Sequence, residues 1–226
     1  KSGFLMGFGS LATPLMALSI AVPQAAAIML PLLLVMDFTG VRQIWRDRDR
    51  DLLRLLVPAG LLGTLLGTLM FGVFSPKTVA AVVGALTLLF LAQRLLFPPR
   101  KDAPPPPRAL GFVLGIAGGF TSFVAHAGSP PISAYVLPLK MEPIRLASTM
   151  AVLFIAINLS KWIPYAWLGL LDSRNLATSL VLMPLAPLGV WAGVWATRRV
   201  ASHWFYRIAY AGMAATGVKL LYDGLQ

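Results

Sequence analysis

Two short runs, Gly9-Ser10 with Pro14 and Gly128-Ser129-Pro130-Pro131, interrupt long apolar stretches with residues that break a helix and carry hydroxyls. A helix interrupted near the middle of a bilayer exposes N–H groups and the positive end of its dipole, which suits an anion. Gly9 and Gly128 bring backbone donors close, and Ser10, Thr13, Thr121, Ser122 and Ser129 lie at or beside the breaks as hydroxyl donors to an oxyanion. Lys161 lies inside another apolar stretch one turn after Asn158, with Tyr165 a further turn along the same face. An ionisable group at such a position is costly and by default functional, so Lys161 reads as a counter-charge for the anion and Asn158 as its orienting group. Asp37, also inside an apolar stretch, and His126, one turn before the second break, are candidates for proton coupling. The ordinary imidazole pKa near 6.5 fits that task. Each residue also has a structural reading. The breaks could merely kink packed helices, Lys161 could snorkel beside Trp162 and Tyr165, Asp37 could pair with Arg42, and His126 could hold loop carbonyls.

The elements that position these residues follow from composition. The chain has 226 residues, 58% apolar or aromatic and 12% charged, with no cysteine. Soluble domains carry about 25% charged residues, and so little polar surface cannot clothe a globule in water. The net charge of +11 is gathered in short clusters between apolar runs, which suits loops facing anionic headgroups rather than nucleic acid. Spanning helices need about 20 mostly apolar residues. Candidates are Gly3–Val22 (interrupted at Pro14), Ala25–Val41, Leu52–Phe74, Thr78–Phe97, Ala109–Leu139 (interrupted at Gly128–Pro131), Ile144–Leu168, Leu176–Thr197 and Trp204–Tyr222. The alternating Arg46–Asp51 run reads as a solvated loop. Pro98–Arg108 is a stiff linker separating a first repeat, 1–97, from a second, 109–226.

The halves match in order at a near-constant offset. The Gly-Ser breaks correspond, Asp37 falls opposite Asn158, Asp51 opposite Asp172, and Gly63/Gly67 opposite Gly189/Gly193. Small residues four apart admit close helix approach, so the glycine pairs read as packing. More residues precede the second break than the first, which predicts native sequence upstream of Lys1. If both broken segments dip in and return on one side, nearly all bases join the 42–54 loop, leaving Lys77, Arg174 and Lys219 opposite. The positive-inside rule prefers that split. The expected fold is all-α integral membrane: two inverted repeats, each a re-entrant segment plus three transmembrane helices, with loop 42–54 and linker 98–108 cytoplasmic.

Several chemistries lack their residues. There is no P-loop, no HExxH or other metal-ligand cluster, and no GxSxG elbow. No cofactor and no metal are expected, and the few, scattered acids argue against an integral-membrane enzyme acting on lipid-linked substrates.

The stretch Gly119-Phe-Thr-Ser-Phe-Val-Ala-His-Ala-Gly-Ser-Pro-Pro-Ile-Ser-Ala-Tyr-Val-Leu-Pro138, followed by Asn158-Leu-Ser-Lys161-Trp-Ile-Pro-Tyr165-Ala-Trp-Leu-Gly169, resembles the sulfite exporter TauE/SafE family of bacterial membrane transporters. Gly7-Phe-Gly-Ser-Leu-Ala-Thr-Pro14, then Asp37, resembles its first signature. Where the family usually has two glycines before the Pro, this chain has Gly128-Ser129, and Gly9 is likewise followed by Ser10. The resemblance implies a secondary permease, often an exporter, for sulfite, sulfonates or related anions in the bacterial inner membrane. The expected partners are that anion and the lipid bilayer, with no nucleic acid; a homodimer is compatible with this reading. Proton-coupled uptake and a passive anion channel are the alternatives.

Overall fold

A computed structural model describes residues 12–71, 73, 75–96, 105–188 and 202–226. Among these residues the regular structure is helical, with no strand: α1 (Ala12–Met16), α2 (Val22–Ile44), α3 (Arg50–Phe71), α4 (Pro76–Leu96), α5 (Arg108–Ala125), α6 (Ser129–Val136), α7 (Pro143–Ser160), α8 (Trp162–Trp167), α9 (Ser173–Leu182) and α10 (Ser202–Leu225). Three stretches, Arg50–Phe71, Arg108–Ala125 and Ile144–Trp167, are long and apolar enough to cross a membrane. At 1.5 Å per residue, α3 reaches roughly 33 Å against a hydrocarbon core of about 30 Å. Its outward face exposes Leu62, Leu65, Leu66 and Leu69, a surface suited to lipid.

Proline and glycine punctuate the helices. α2 starts with Pro23 in its first turn, where a missing N–H has no helical partner to lose. Pro107 leads into α5 with extended backbone (φ −65°, ψ 148°), the stiff conformation expected of the linker's last residues; residues 97–104 lie outside the description. α5 ends at His126, which adopts the left-handed conformation (φ 53°, ψ 25°). After this break α6 turns back along α5: a Cβ on Gly118 would strike Ile132, and one on Gly111 would strike the Tyr135 ring. Arg108 at the start of α5 and Lys140 beyond α6 line one polar pocket, together with Asp49, Asp51 and Arg145. Both ends of the α5–α6 hairpin therefore open beside the loop that precedes α3.

The tightest seam joins α3 to α5. A Cβ on Gly63 would meet the Ile116 carbonyl, one on Gly119 the Gly60 carbonyl, and one on Gly67 the Phe123 ring at 2.9 Å. Small residues one turn apart on both helices bring their backbones into contact, the mode of association favoured in lipid. Gly189 and Gly193 lie outside the described residues. Elsewhere α2 packs on α7 and α4 on α10. Ser179 of α9 donates to the Ile28 carbonyl of α2 at 2.9 Å.

The structure sharpens several expectations. Helix α1 runs through Pro14, and the chain leaves it only afterwards, in turns closed by Leu18 N–H to Leu15 O (3.2 Å) and Ser19 N–H to Met16 O (3.0 Å). The predicted Ile144–Leu168 span is matched by Ile144–Trp167, with a local turn at Lys161 between α7 and α8 because Pro164 has no N–H to continue the ladder. The predicted Leu176–Thr197 span breaks after Leu182, ahead of Pro184. Finally, Asp49 is not merely solvated: it accepts from Leu52 N–H (2.9 Å) at the start of α3 and pairs with Arg145 (2.7 Å). Its N–H donates to Thr149 Oγ1 at 2.8 Å. Asp172 caps α9 by accepting from Asn175 N–H, so its counterpart in role is Asp49 rather than Asp51.

Candidate functional site

Five of the residues singled out from the sequence meet in one buried knot where α5 ends against α2, α7 and α8. Lys161, fully buried, caps α7. Its Nζ lies 2.7 Å from the Ser122 carbonyl, 2.8 Å from Ser122 Oγ, 3.0 Å from Asn158 Oδ1 and 3.0 Å from His126 Nδ1. The Ser122 carbonyl belongs to the last turn of α5, the negative end of that helix dipole, where a cation is favoured. On its other edge Asn158 donates through Nδ2 to Asp37 Oδ2 at 2.8 Å. Asn158 thus links the ammonium to a carboxylate on α2.

His126 connects the knot to α2 through Nε2, 2.8 Å from the Ala26 carbonyl. A non-glycine residue in the left-handed region costs about 1–3 kcal/mol and persists only where its surroundings determine it. Here the imidazole is held at both nitrogens. Gly128 sits close by, and a Cβ there would lie 2.7 Å from Ser122 Cβ. The walls are apolar: Phe123 stacks edge-on against Tyr165 at 5.1 Å and against Phe71 at 5.6 Å. A buried ion pair is tolerable only when its remaining donors and acceptors are met, and this knot is built that way.

The remaining candidates divide. Thr121 spends its hydroxyl on its own helix, donating to Ala117 O at 2.9 Å. Thr13 is fully buried and its Oγ1 finds no partner among the described residues; the same holds for Ser133 Oγ on α6. Ser129 is buried at the start of α6. Of the four N–H groups that open α6, those of positions 130 and 131 are missing because both are proline, so Gly128 and Ser129 supply what remains. Gly9, Ser10 and the Arg42 side chain lie outside the described residues. Sequence reasoning gave Tyr165 no role, yet its phenol donates to the Phe123 carbonyl at 2.6 Å. Its place one turn beyond Lys161 was the available signal. Beside the break, Thr121, Ala127 and Pro130 also border a cavity of about 390 Å³ that is otherwise mainly apolar and reaches Leu114, Thr87 and Met213.

Residues 1–220 match the sulfite exporter TauE/SafE family. The chain belongs to that family. The match covers both Gly-Ser runs of the sequence and the whole knot, and with the long apolar helices it makes the chain an integral membrane protein. Members of the family are transporters rather than enzymes. No curated protein and no solved structure matches the chain.

Proposed function

We propose that this TauE/SafE member is a secondary transporter that exports small sulfur-containing anions, sulfite or organosulfonates, across the bacterial inner membrane. The observation that carries the reading is the buried Lys161 ammonium, held by Asn158, Ser122 and His126 at the end of a broken helix. An anion entering between α5 and α6 competes with the Ser122 carbonyl for that ammonium. It gains donors from Gly128 and Ser129 and from the hydroxyls of Thr13 and Ser122, with Gly9 and Ser10 assigned to the same shell on the sequence alone. Broken helices meeting at the bilayer midplane between inverted repeats are the recurrent site of secondary transporters. The return of α6 along α5, the packing of α2 on α7 and the Asp37–Asn158 hydrogen bond support that arrangement. So does the gathering of Arg108, Lys140 and Arg145 beside the loop before α3, read as the cytoplasmic end.

Moving one negative charge out of a negative-inside cell gains about 2.3 kcal/mol per 100 mV, so export needs no other coupling. Proton-coupled uptake is the second reading, favoured by His126 and Asp37 both joining the knot. Purified protein in proteoliposomes, assayed for radiolabelled sulfite and sulfoacetate flux under an imposed potential and an imposed pH gradient, tests both readings. Saturable flux with counter-flow is expected. Non-saturable flux would instead make the protein a passive anion channel.

A further inference from the structure

Away from the knot, three spans begin together. Arg50–Phe71, Arg108–Ala125 and Ile144–Trp167 all start at one polar pocket of about 550 Å³, which Asp51, Arg108 and Arg145 line from the first turns of α3, α5 and α7. The ends of spanning helices lie at headgroup level, so this pocket sits at one surface of the bilayer. α3 is capped there by Asp49, whereas α5 and α7 start with no side-chain cap. Their first N–H groups and positive dipole ends therefore add to the charge of the side chains around them.

The lining charges do not cancel. Asp49 is paired with Arg145, and Asp51 with Arg54. That leaves Arg108 and Lys140, neither with an ion pair or side-chain hydrogen bond among the described residues, against Glu142 alone. Lys140 follows α6 in the left-handed conformation (φ 52°), which a residue with a side chain rarely adopts and which clusters at ligand clamps. A further donor lies deeper. Tyr135 is 3% exposed and lines the same pocket. Its ring lies against the start of α5, where a Cβ on Gly111 would meet Tyr135 Cζ. The Tyr135 hydroxyl makes no hydrogen bond among the described residues. Buried polar groups are as a rule hydrogen-bonded, so this one calls for a partner from outside the chain. Leu52, Leu55, Leu139 and Met141 supply the aliphatic part of the lining. Two free cations and a hydroxyl beside an aliphatic wall, at the bilayer surface, suit an amphiphile with a phosphate head better than a free oxyanion, which gains nothing from that wall.

We propose that this pocket binds an anionic phospholipid, with the phosphate against Arg108, Lys140 and the Tyr135 hydroxyl and the upper acyl chains against Leu52, Leu55, Leu139 and Met141. A lipid there ties both ends of the α5–α6 hairpin to the starts of α3 and α7. Anionic lipids are concentrated in the cytoplasmic leaflet, in keeping with the cytoplasmic reading of this end. Lipid at this pocket is independent of what the Lys161 knot binds.

The test is native mass spectrometry and thermal unfolding of the full chain, delipidated in detergent and then given dioleoylphosphatidylglycerol, dioleoylphosphatidylcholine or inorganic phosphate. Phosphatidylglycerol should bind at one tight site and raise the melting temperature, and phosphatidylcholine at the same concentration should do neither. Arg108→Gln with Lys140→Gly, glycine being at ease in the left-handed region, should weaken that binding about 25-fold, about fivefold for each cation. Tyr135→Phe keeps the ring and should weaken it about tenfold; it carries the test should the double variant not fold. Lys77→Gln with Arg174→Gln removes the same charge outside the pocket and should leave binding unchanged. Equal binding of the two lipids, undiminished binding in the pocket variants, or an equal loss in the charge-matched control overturns the proposal. Inorganic phosphate raising the melting temperature as much as phosphatidylglycerol also overturns it, by replacing the lipid with a free oxyanion.

Discussion

Helix α5 is held in two different ways along its length. Between Gly111 and Gly119 it is held by shape: its backbone lies against Ala59, Gly60 and Gly63 of α3 and against Ile132 and Tyr135 of α6. At its end it is held by charge and hydrogen bonds, with three successive last-turn carbonyls occupied. Thr121 O accepts from Ala127 N–H, Ser122 O from His126 N–H and Lys161, and Phe123 O from Tyr165. A close-packed seam has one good arrangement and resists change. The polar knot can exchange one partner for another of like chemistry. The contrast says which part of the helix is scaffold and which can open: an anion can replace a carbonyl beside Lys161, whereas nothing can replace a glycine beside Gly60.

Substitutions sharpen that contrast, and the largest effect belongs to the seam. Gly119→Leu should prevent folding, since even a Cβ collides with the Gly60 carbonyl and backbone cannot yield as a side-chain tip does. The measurement is the yield of monodisperse protein in detergent, and a normal yield would show the seam to be looser than described. Lys161→Met comes next. It removes the buried ammonium that Ser122, Asn158 and His126 surround and leaves those acceptors unmet, at a cost of about 1–3 kcal/mol of stability. Flux should fall at least about a hundredfold, since losing a charged contact to the anion costs about 3 kcal/mol of its binding and each 1.4 kcal/mol is worth about tenfold. Lys161→Arg should restore part of it.

A smaller effect is expected from Tyr165→Phe, which removes one cap from the Phe123 carbonyl while keeping the ring against Phe123. A loss of about 1–3 kcal/mol of stability follows from leaving a buried acceptor unmet. Smallest is Thr121→Val. Its hydroxyl serves its own helix, so flux within a few-fold of wild type is expected; a large loss would return Thr121 to the anion's shell.

The helical architecture was legible because lipid demands long apolar runs, and the break at Gly128 because glycine and proline mark it. Lys161, Asn158, Asp37 and His126 stood out for a related reason: polar groups inside such runs need partners. Their identity as mutual partners was not legible. Nothing in the spacing of α5 and α7 says that Ser122 O lies under Lys161 Nζ, and the ammonium reads from sequence as free for an anion when it is in fact occupied. The local turn at Lys161 was missed because the hydropathy of Ile144–Leu168 runs unbroken through Pro164. Tyr165 was missed because an aromatic one turn from a lysine reads equally well as wall.

The central claim is that the Lys161 knot is where the anion binds, and counter-flow tests it most directly. Proteoliposomes preloaded with unlabelled sulfite should accumulate labelled sulfite with the wild-type protein, barely with Lys161→Met, and partly with Lys161→Arg. Undiminished counter-flow in a folded Lys161→Met protein would contradict the account, leaving Lys161 as a cap for α5 and placing the anion elsewhere.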